Sequence, residues 1–484
     1  MNSPDNNDRV EQQEIDASAK WPVLVFFSQA LAWLVIGGAL QLIAAIQLHT
    51  PDFLANCEWF TYGRVTAAAQ NVLVYGWGFN AGLGVALWLM ARLSAAALRH
   101  GGWLIVACKA WNIAVGLGML AILMGGTTSY ELLEMPRWIT FMLLGAYALM
   151  GVWAITTFSV RNTENVFASQ WYIFGAMFWF PWLYAVAQTM LFSAPTGGVV
   201  QAIVNVWYVN GIYGLWFIPL ALAAIYYFLP KITGKPIHDY YLAKLAFWWL
   251  VLTTAFAGGS RLIGGPVPAW VATLGTVANF MLVVAVVMVL KSLLGTLRGN
   301  TAALKHSMTL KFILVSILGF TVASILNFAL SVRGFAMTTQ FTLIPELRDW
   351  VILYACFSTA MFGAVYFVVP RLLGVAWQSN GLIKAHYYTA ATGMLVVAVA
   401  LGYGGWQQGH LLNATTASFG EINTALKPWL MFRSVGLMIL LTGHLAFVIN
   451  CLWTLGVALI GTGAPAVFRN PPAIAGAVGE GGHS

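Results

Sequence analysis

Runs of about twenty apolar residues, each long enough to cross a hydrocarbon layer roughly 30 Å thick, recur about twelve times along this chain. They extend approximately from Trp21 to Leu48, Gly63 to Leu93, Trp103 to Met124, Trp138 to Phe158, Ala168 to Leu191 and Val200 to Leu229. The second half gives Tyr241 to Leu262, Val271 to Leu290, Leu310 to Val332, Trp350 to Val369, Tyr387 to Tyr403 and Leu430 to Leu459. Lipid offers backbone groups no water, so each span must close its hydrogen bonds internally and is helical. An all-α polytopic membrane protein follows. Only 8% of residues are charged, against about a quarter in soluble domains, and no hydrophilic stretch is long enough for a soluble domain between spans.

Basic residues choose the orientation. Arg99, Arg161, Lys231, Lys235, Lys244, Lys291, Arg298, Lys305, Lys311, Arg371 and Lys384 follow even-numbered spans, while the opposite loops carry Asp52, Glu58, Glu131, Glu134, Glu346 and Glu421. The positive-inside rule then puts the even-numbered exits and both termini in the cytoplasm. The net charge of +8 is absorbed by topology, with no nucleic-acid partner implied. Residues 1–20 read as a polar cytoplasmic tail without a cleavable signal, residues 21–460 as one membrane domain, and the Gly-, Pro- and Ala-rich residues 461–484 as a disordered cytoplasmic tail. Trp21, Trp59, Trp103, Trp138, Trp350 and Trp429 fall near span ends, as interfacial anchors do.

Cys57, Cys108, Cys356 and Cys451 share no metal-ligand spacing and read as small apolar fillers. One internal echo is present: Tyr226 to Gly234 and Tyr366 to Gly374 both spell Tyr-x-x-x-Pro-basic-x-x-Gly. Proline lacks the N–H that continues a helix, a basic residue suits the negative helix end, and glycine permits the turn. Both segments therefore read as helix stops, at the ends of the sixth and tenth spans.

From Gly63 to Trp453 the chain resembles the catalytic subunit I of cbb3-type cytochrome c oxidases, in the haem-copper oxidase superfamily. The resemblance is carried by Gly63-Arg64, Asn71 and Gly78-Phe79-Asn80-Ala81; by Trp207-Tyr208-Val209-Asn210-Gly211; by Pro230-Lys231, Gly234 and Phe247-Trp248; and by Pro268-Ala269-Trp270. It continues through Trp406-Gln407-Gln408-Gly409, Phe419, Glu421, Pro428, Arg433, Gly436, Gly443, Asn450 and Trp453. It implies a subunit I-like bundle in a bacterial inner membrane, other integral membrane subunits and c-type cytochromes as partners, and haem b, a high-spin haem and copper as the family's cofactors.

At every ligand position the expected histidine is missing. Ala69 stands where a haem ligand belongs, and Tyr354 and Cys356 replace the His-x-His of the tenth span. Asn210, Ser260 and Arg261 replace the copper histidines, and Leu318 the tyrosine near copper. Alanine has no donor, an amide is a poor copper ligand beside imidazole, and a guanidinium is permanently cationic. Of the eight histidines, His49, His100, His238, His306, His386, His410 and His483 lie in loops, tails or span edges, leaving His444 deep in a span. No cofactor is therefore expected.

Several residues keep two readings. His444 is a functional candidate or a satisfied core histidine, with no second histidine to face it. Tyr354 and Cys356 belong to ligand types found in haem proteins, yet are also ordinary packing residues. Arg261 either replaces the charge of a lost metal or reaches water from a helix end, and Lys109 either snorkels or lines a polar passage. Three functions are weighed: a structural or regulatory subunit, an active oxidase or nitric oxide reductase with displaced ligands, and a transporter using the emptied cavity.

Overall fold

The expected spans form twelve long helices. A computed structural model describes residues 4–163, 166–299, 307–414 and 416–460, so the tail expected at 461–484 lies outside the described residues. The helices are α1 (Pro4–His49), α2 (Tyr62–Leu93), α3 (Gly101–Leu123), α4 (Arg137–Ser159), α5 (Ala168–Gln188), α6 (Val199–Thr233), α7 (Tyr240–Leu262), α8 (Ala269–Leu297), α9 (Met308–Ser331), α10 (Ile344–Leu373), α11 (Asn380–Asn413) and α12 (Phe419–Ile460). Among the described residues, eleven helices are long and apolar enough to cross a membrane. The other, α5, carries Trp171, Trp179, Pro181 and Trp182, which lower its hydropathy without preventing burial of the face bearing Tyr172, Phe180 and Tyr184.

Two helix starts differ from expectation. Helix α1 begins at Pro4, well before Trp21. Its polar part is docked: Asp16 accepts a 3.0 Å hydrogen bond from Trp88 Nε1 and pairs with Arg92 at 3.5 Å, while Ile15 and Ala19 are buried. Helix α11 begins at Asn380, because Ser379 Oγ accepts from the Leu382 N–H at 3.2 Å and so caps the first turn. The two helix stops behave as their sequence implies. Gly234 and Gly374 adopt φ of +69° and +71°, and each donates its N–H to the carbonyl of the preceding proline, Pro230 or Pro370, at 2.9 Å.

Helices α2, α6 and α10 form the centre and are each interrupted by a π-helical stretch: Val72–Gly78, Ile212–Phe217 and Val351–Ser358. Aromatic rings fill the space between them. Phe79 of α2 stacks on Trp216 of α6 at 3.8 Å and on Trp111 of α3 at 5.1 Å, and meets Phe180 of α5 edge-on at 4.5 Å. Phe217 and Phe357 join α6 to α10 at 4.7 Å. Trp77 packs on Phe362 at 5.1 Å and donates its indole N–H to Ser358 Oγ at 2.8 Å, joining α2 to α10.

Close approach requires glycine at one point in particular. A Cβ at Gly82 would sit 2.8 Å from the Trp216 ring and 2.9 Å from Leu220. Gly82→Val is expected to lower stability by about 1–3 kcal/mol through overpacking. A lower melting temperature in detergent would register this, and an unchanged one would mean that the stack yields freely.

Candidate functional site

The positions singled out by sequence cluster at the π-helical stretches. Asn210 lies two residues before the one in α6, Tyr354 and Cys356 lie within the one in α10, and Ala69 lies one turn before the one in α2. A π turn inserts a residue and re-aims the side chains on either side of it, which is why such turns are frequent at functional sites.

Asn210 and Arg261 are brought together. Helix α7 ends in a 3₁₀ turn, Gly258–Leu262, that carries Arg261 inward. Its guanidinium makes a two-pronged ion pair with Asp349, Nη1 and Nη2 donating to the two carboxylate oxygens at 2.8 and 2.7 Å. Its Nε donates to Asn210 Oδ1 at 3.3 Å, and Asn210 Nδ2 donates to the Thr254 carbonyl at 3.0 Å. Arg348 grips the same carboxylate from its own helix at 3.0 and 3.2 Å. Gln340 donates to the Arg261 carbonyl, and the Tyr213 ring lies 6.0 Å from the guanidinium. Paired charges at membrane depth are far cheaper to hold than a lone one. Ser260 points elsewhere: its Oγ donates to the Ala257 carbonyl and accepts from Asn279 of α8, both at 2.9 Å.

Ala69 and Tyr354 share a second neighbourhood. Tyr354 donates to Gln41 Oε1 of α1 at 2.8 Å. Gln41 and Ala69 line one cavity of about 110 Å³, together with Tyr62, Thr66, Glu346 and Arg433. Arg433 and Glu346 form an ion pair there. Cys356 lies two residues beyond Tyr354, on the other side of the helix, where its carbonyl accepts from Ser316 of α9.

This donor set does not fit the family's groups. Ala69 offers no ligand atom and the cavity beside it is well below the roughly 300–1,000 Å³ of ordinary ligand sites. At a position where the resemblance would have a copper histidine the chain has the Arg261 guanidinium, ion-paired with Asp349, and among the described residues no three His, Cys, Asp or Glu side chains converge on a point. Leu318 is exposed on the outer face of α9 and does not approach Asn210. Lys109 is likewise exposed, on α3, and lines no passage with Asn210 and Arg261.

The histidine reading needs correction. His386 is not at a span edge: because α11 starts at Asn380, it lies in the second turn and is fully buried. It faces His444, the ring centroids 6.1 Å apart. His444 therefore does have a histidine partner. The Ser379 cap was the sequence signal that places His386 inside.

Two further residues were missed. Asp349 holds the Arg261 cluster, and the signal available was an acid at a span start opposite an intramembrane arginine. Glu134, in the loop between α3 and α4, is buried and accepts from Asn71 Nδ2 at 2.6 Å. Burial raises its carboxyl to about 7, against the opposing pull of the Asn71 hydrogen bond.

The family model described as "Cytochrome C and Quinol oxidase polypeptide I" matches residues 22–439. The chain is 24% identical to the cytochrome c oxidase subunit 1 homolog of Agrobacterium tumefaciens (strain T37), covering 87% of this chain and 81% of that protein. It is 22% identical to the cbb3-type cytochrome c oxidase subunit CcoN1 of Stutzerimonas stutzeri, covering 88% and 92%. In fold it resembles a chain of a haem-copper terminal oxidase dimer solved by cryo-EM, with a TM-score of 0.70 at 13% identity, over 92% of this chain and 84% of that one.

Asp349→Leu leaves two arginines unpaired and is expected to cost on the order of 3 kcal/mol. Arg261→Leu leaves Asp349 still held by Arg348 and should cost less, and the double Leu variant should recover stability relative to Asp349→Leu; thermal melts of the three would read the order. The Glu134 carboxyl binds its proton more tightly folded than unfolded. Stability therefore falls as pH rises from about 4.5 to 7. Glu134→Gln should remove that slope, so that wild type and variant melt alike at pH 5 and the variant melts higher at pH 8.

Proposed function

Because the chain belongs to the cytochrome c and quinol oxidase polypeptide I family, a family of integral membrane subunits, we propose that it is a member that works without the family's haems and copper. It is a multi-pass bacterial membrane protein resembling cytochrome c oxidase subunit I. Its role on this reading is structural or regulatory: a subunit of a respiratory-type membrane complex that binds other integral membrane subunits and c-type cytochromes. It sits in the inner membrane with both termini in the cytoplasm, as the distribution of basic residues favours.

One observation carries the reading. The Arg261 guanidinium is bonded to Asn210 and closed by Asp349, so two of the positions that the resemblance assigns to copper histidines are tied into one ion-paired cluster. A fixed positive charge there satisfies the dipoles that would face a metal ion and repels the ion itself. The rings of Phe79, Trp216, Phe217 and Phe357, in contact between α2, α6 and α10, support the same reading, since rings packed at these distances leave no room among them for a further planar group. The alternatives are an oxidase or nitric oxide reductase with displaced ligands, and a transporter through an emptied cavity. The cavity of about 110 Å³ beside Ala69 favours neither.

Protein purified from native membranes in mild detergent is expected to lack a Soret band of its own, and a pyridine haemochrome assay of the isolated chain should find far less than one haem per polypeptide. Haem in fixed stoichiometry with the chain would overturn the proposal. Cross-linking before solubilisation is expected to capture other integral membrane subunits, including a haem c-staining one.

A further inference from the structure

His386 and His444 are the most anomalous polar groups in the bundle interior. They come from helices α11 and α12, which pack along much of their length. Both are essentially inaccessible, at 0% and 1% exposure. His386 Nδ1 shares a 2.9 Å hydrogen bond with the Tyr366 hydroxyl of α10. Its Nε2, and both nitrogens of His444, find no hydrogen-bond partner among the described residues. A buried polar group left unpaired is costly, and here three such atoms lie on two adjacent rings. Scattered packing faults would not gather in this way.

The geometry specifies what would satisfy them. The ring centroids are 6.1 Å apart with the planes at 67°, and no direct N–H···N bond joins the rings. Ring nitrogens lying on the line between the two centroids would stand about 4 Å apart, twice a metal–imidazole bond of about 2.0–2.1 Å. A single ion between them is thus the right size. The rest of the shell is aromatic: Phe447 stacks on His386 at 4.7 Å, Phe362 meets it edge-on at 4.6 Å, and Phe312 lies at 5.3 Å.

That shell selects the ion. Zinc calls for four donors, and two histidines among phenylalanines supply two. No carboxylate is in the cage to offset a double charge, and the desolvation penalty of a buried ion grows steeply with its charge. Imidazole suits copper, and copper in its monovalent state accepts two donors in a line. Aromatic faces favour a cation nearby. We propose that His386 and His444 form a two-coordinate site for one copper(I) ion, with Tyr366 positioning His386 through its hydrogen bond. The site lies between α11 and α12, apart from the Asn210, Ser260 and Arg261 positions, and does not depend on whether haem is present. The His444 ring also packs on Phe362, 5.7 Å between centroids.

The test is anaerobic titration of the full-length protein in detergent with copper(I) against a chromogenic copper(I) chelator. Wild type should withdraw one copper per chain from the chelator. His386→Phe and His444→Phe, which keep ring volume in an aromatic cage, should each lose that uptake. Tyr366→Phe, removing only the support, should weaken binding by about 10–100-fold. His410→Gln, at an exposed histidine, should bind as wild type does. X-ray absorption of the loaded wild type should show two nitrogen neighbours at about 2 Å, a readout that needs no variant to fold. Failure of wild type to compete for copper, uptake equal in folded His386→Phe and His444→Phe, or an absorption spectrum with sulfur or with four light neighbours would each overturn the site.

Discussion

Helices α2, α6 and α10 can close on one another only if something fills the space between them, and in this chain aromatic side chains do it. Phe79, Trp216, Phe217 and Phe357 bridge all three helices, and the stack continues outward to Trp111, Tyr147 and Phe180. In lipid there is no water to expel, so association rests on packing and on satisfied polar groups. Glycine serves the first need, admitting Trp216 against the α2 backbone at Gly82. The second is met by indole donors that end on Ser358 Oγ and on the Tyr75 carbonyl, each at 2.8 Å.

Charge is managed by the same rule of local closure. Arg261, Asp349, Arg348 and Asn210 form a short chain in which every formal charge touches an opposite one or a dipole. Arg433 with Glu346 and Asp16 with Arg92 repeat the pattern elsewhere. Glu134 accepts from the Asn71 amide and has no cationic partner at contact distance among the described residues, and it alone among these carboxylates sits in a loop. Closure is incomplete at several single buried atoms, among them Thr66 Oγ1 and Trp350 Nε1, but the adjacent rings of His386 and His444 together leave three nitrogens open.

Much of the architecture was legible from hydropathy, because a span advertises itself by length. The two Tyr-x-x-x-Pro-basic-x-x-Gly segments gave their glycine-capped ends correctly, since proline and glycine act locally. Helix starts were harder. Apolar runs mark where lipid begins, whereas α1 and α11 begin where hydrogen bonding begins, at Pro4 and behind the Ser379 cap. That difference hid His386. The pairing of Arg261 with Asp349 was out of reach of either signal, because 88 residues separate them and only the tertiary crossing of α7 with α10 makes them neighbours. Tyr354 and Cys356 were placed on the right helix, but their opposite surroundings follow from packing.

The π-helical stretches have one more consequence. Each inserts a residue into its helix, so the half above it and the half below it keep separate rotational settings. In α10 the upper setting aims Asp349 at Arg261, and the lower one aims Phe362 at Trp77 and His386. Removing the extra residue would turn one half by about 100° relative to the other and could satisfy only one of these partners. The inserted residue thus works as a phase shifter, letting one continuous rod serve two unrelated sets of neighbours at different depths.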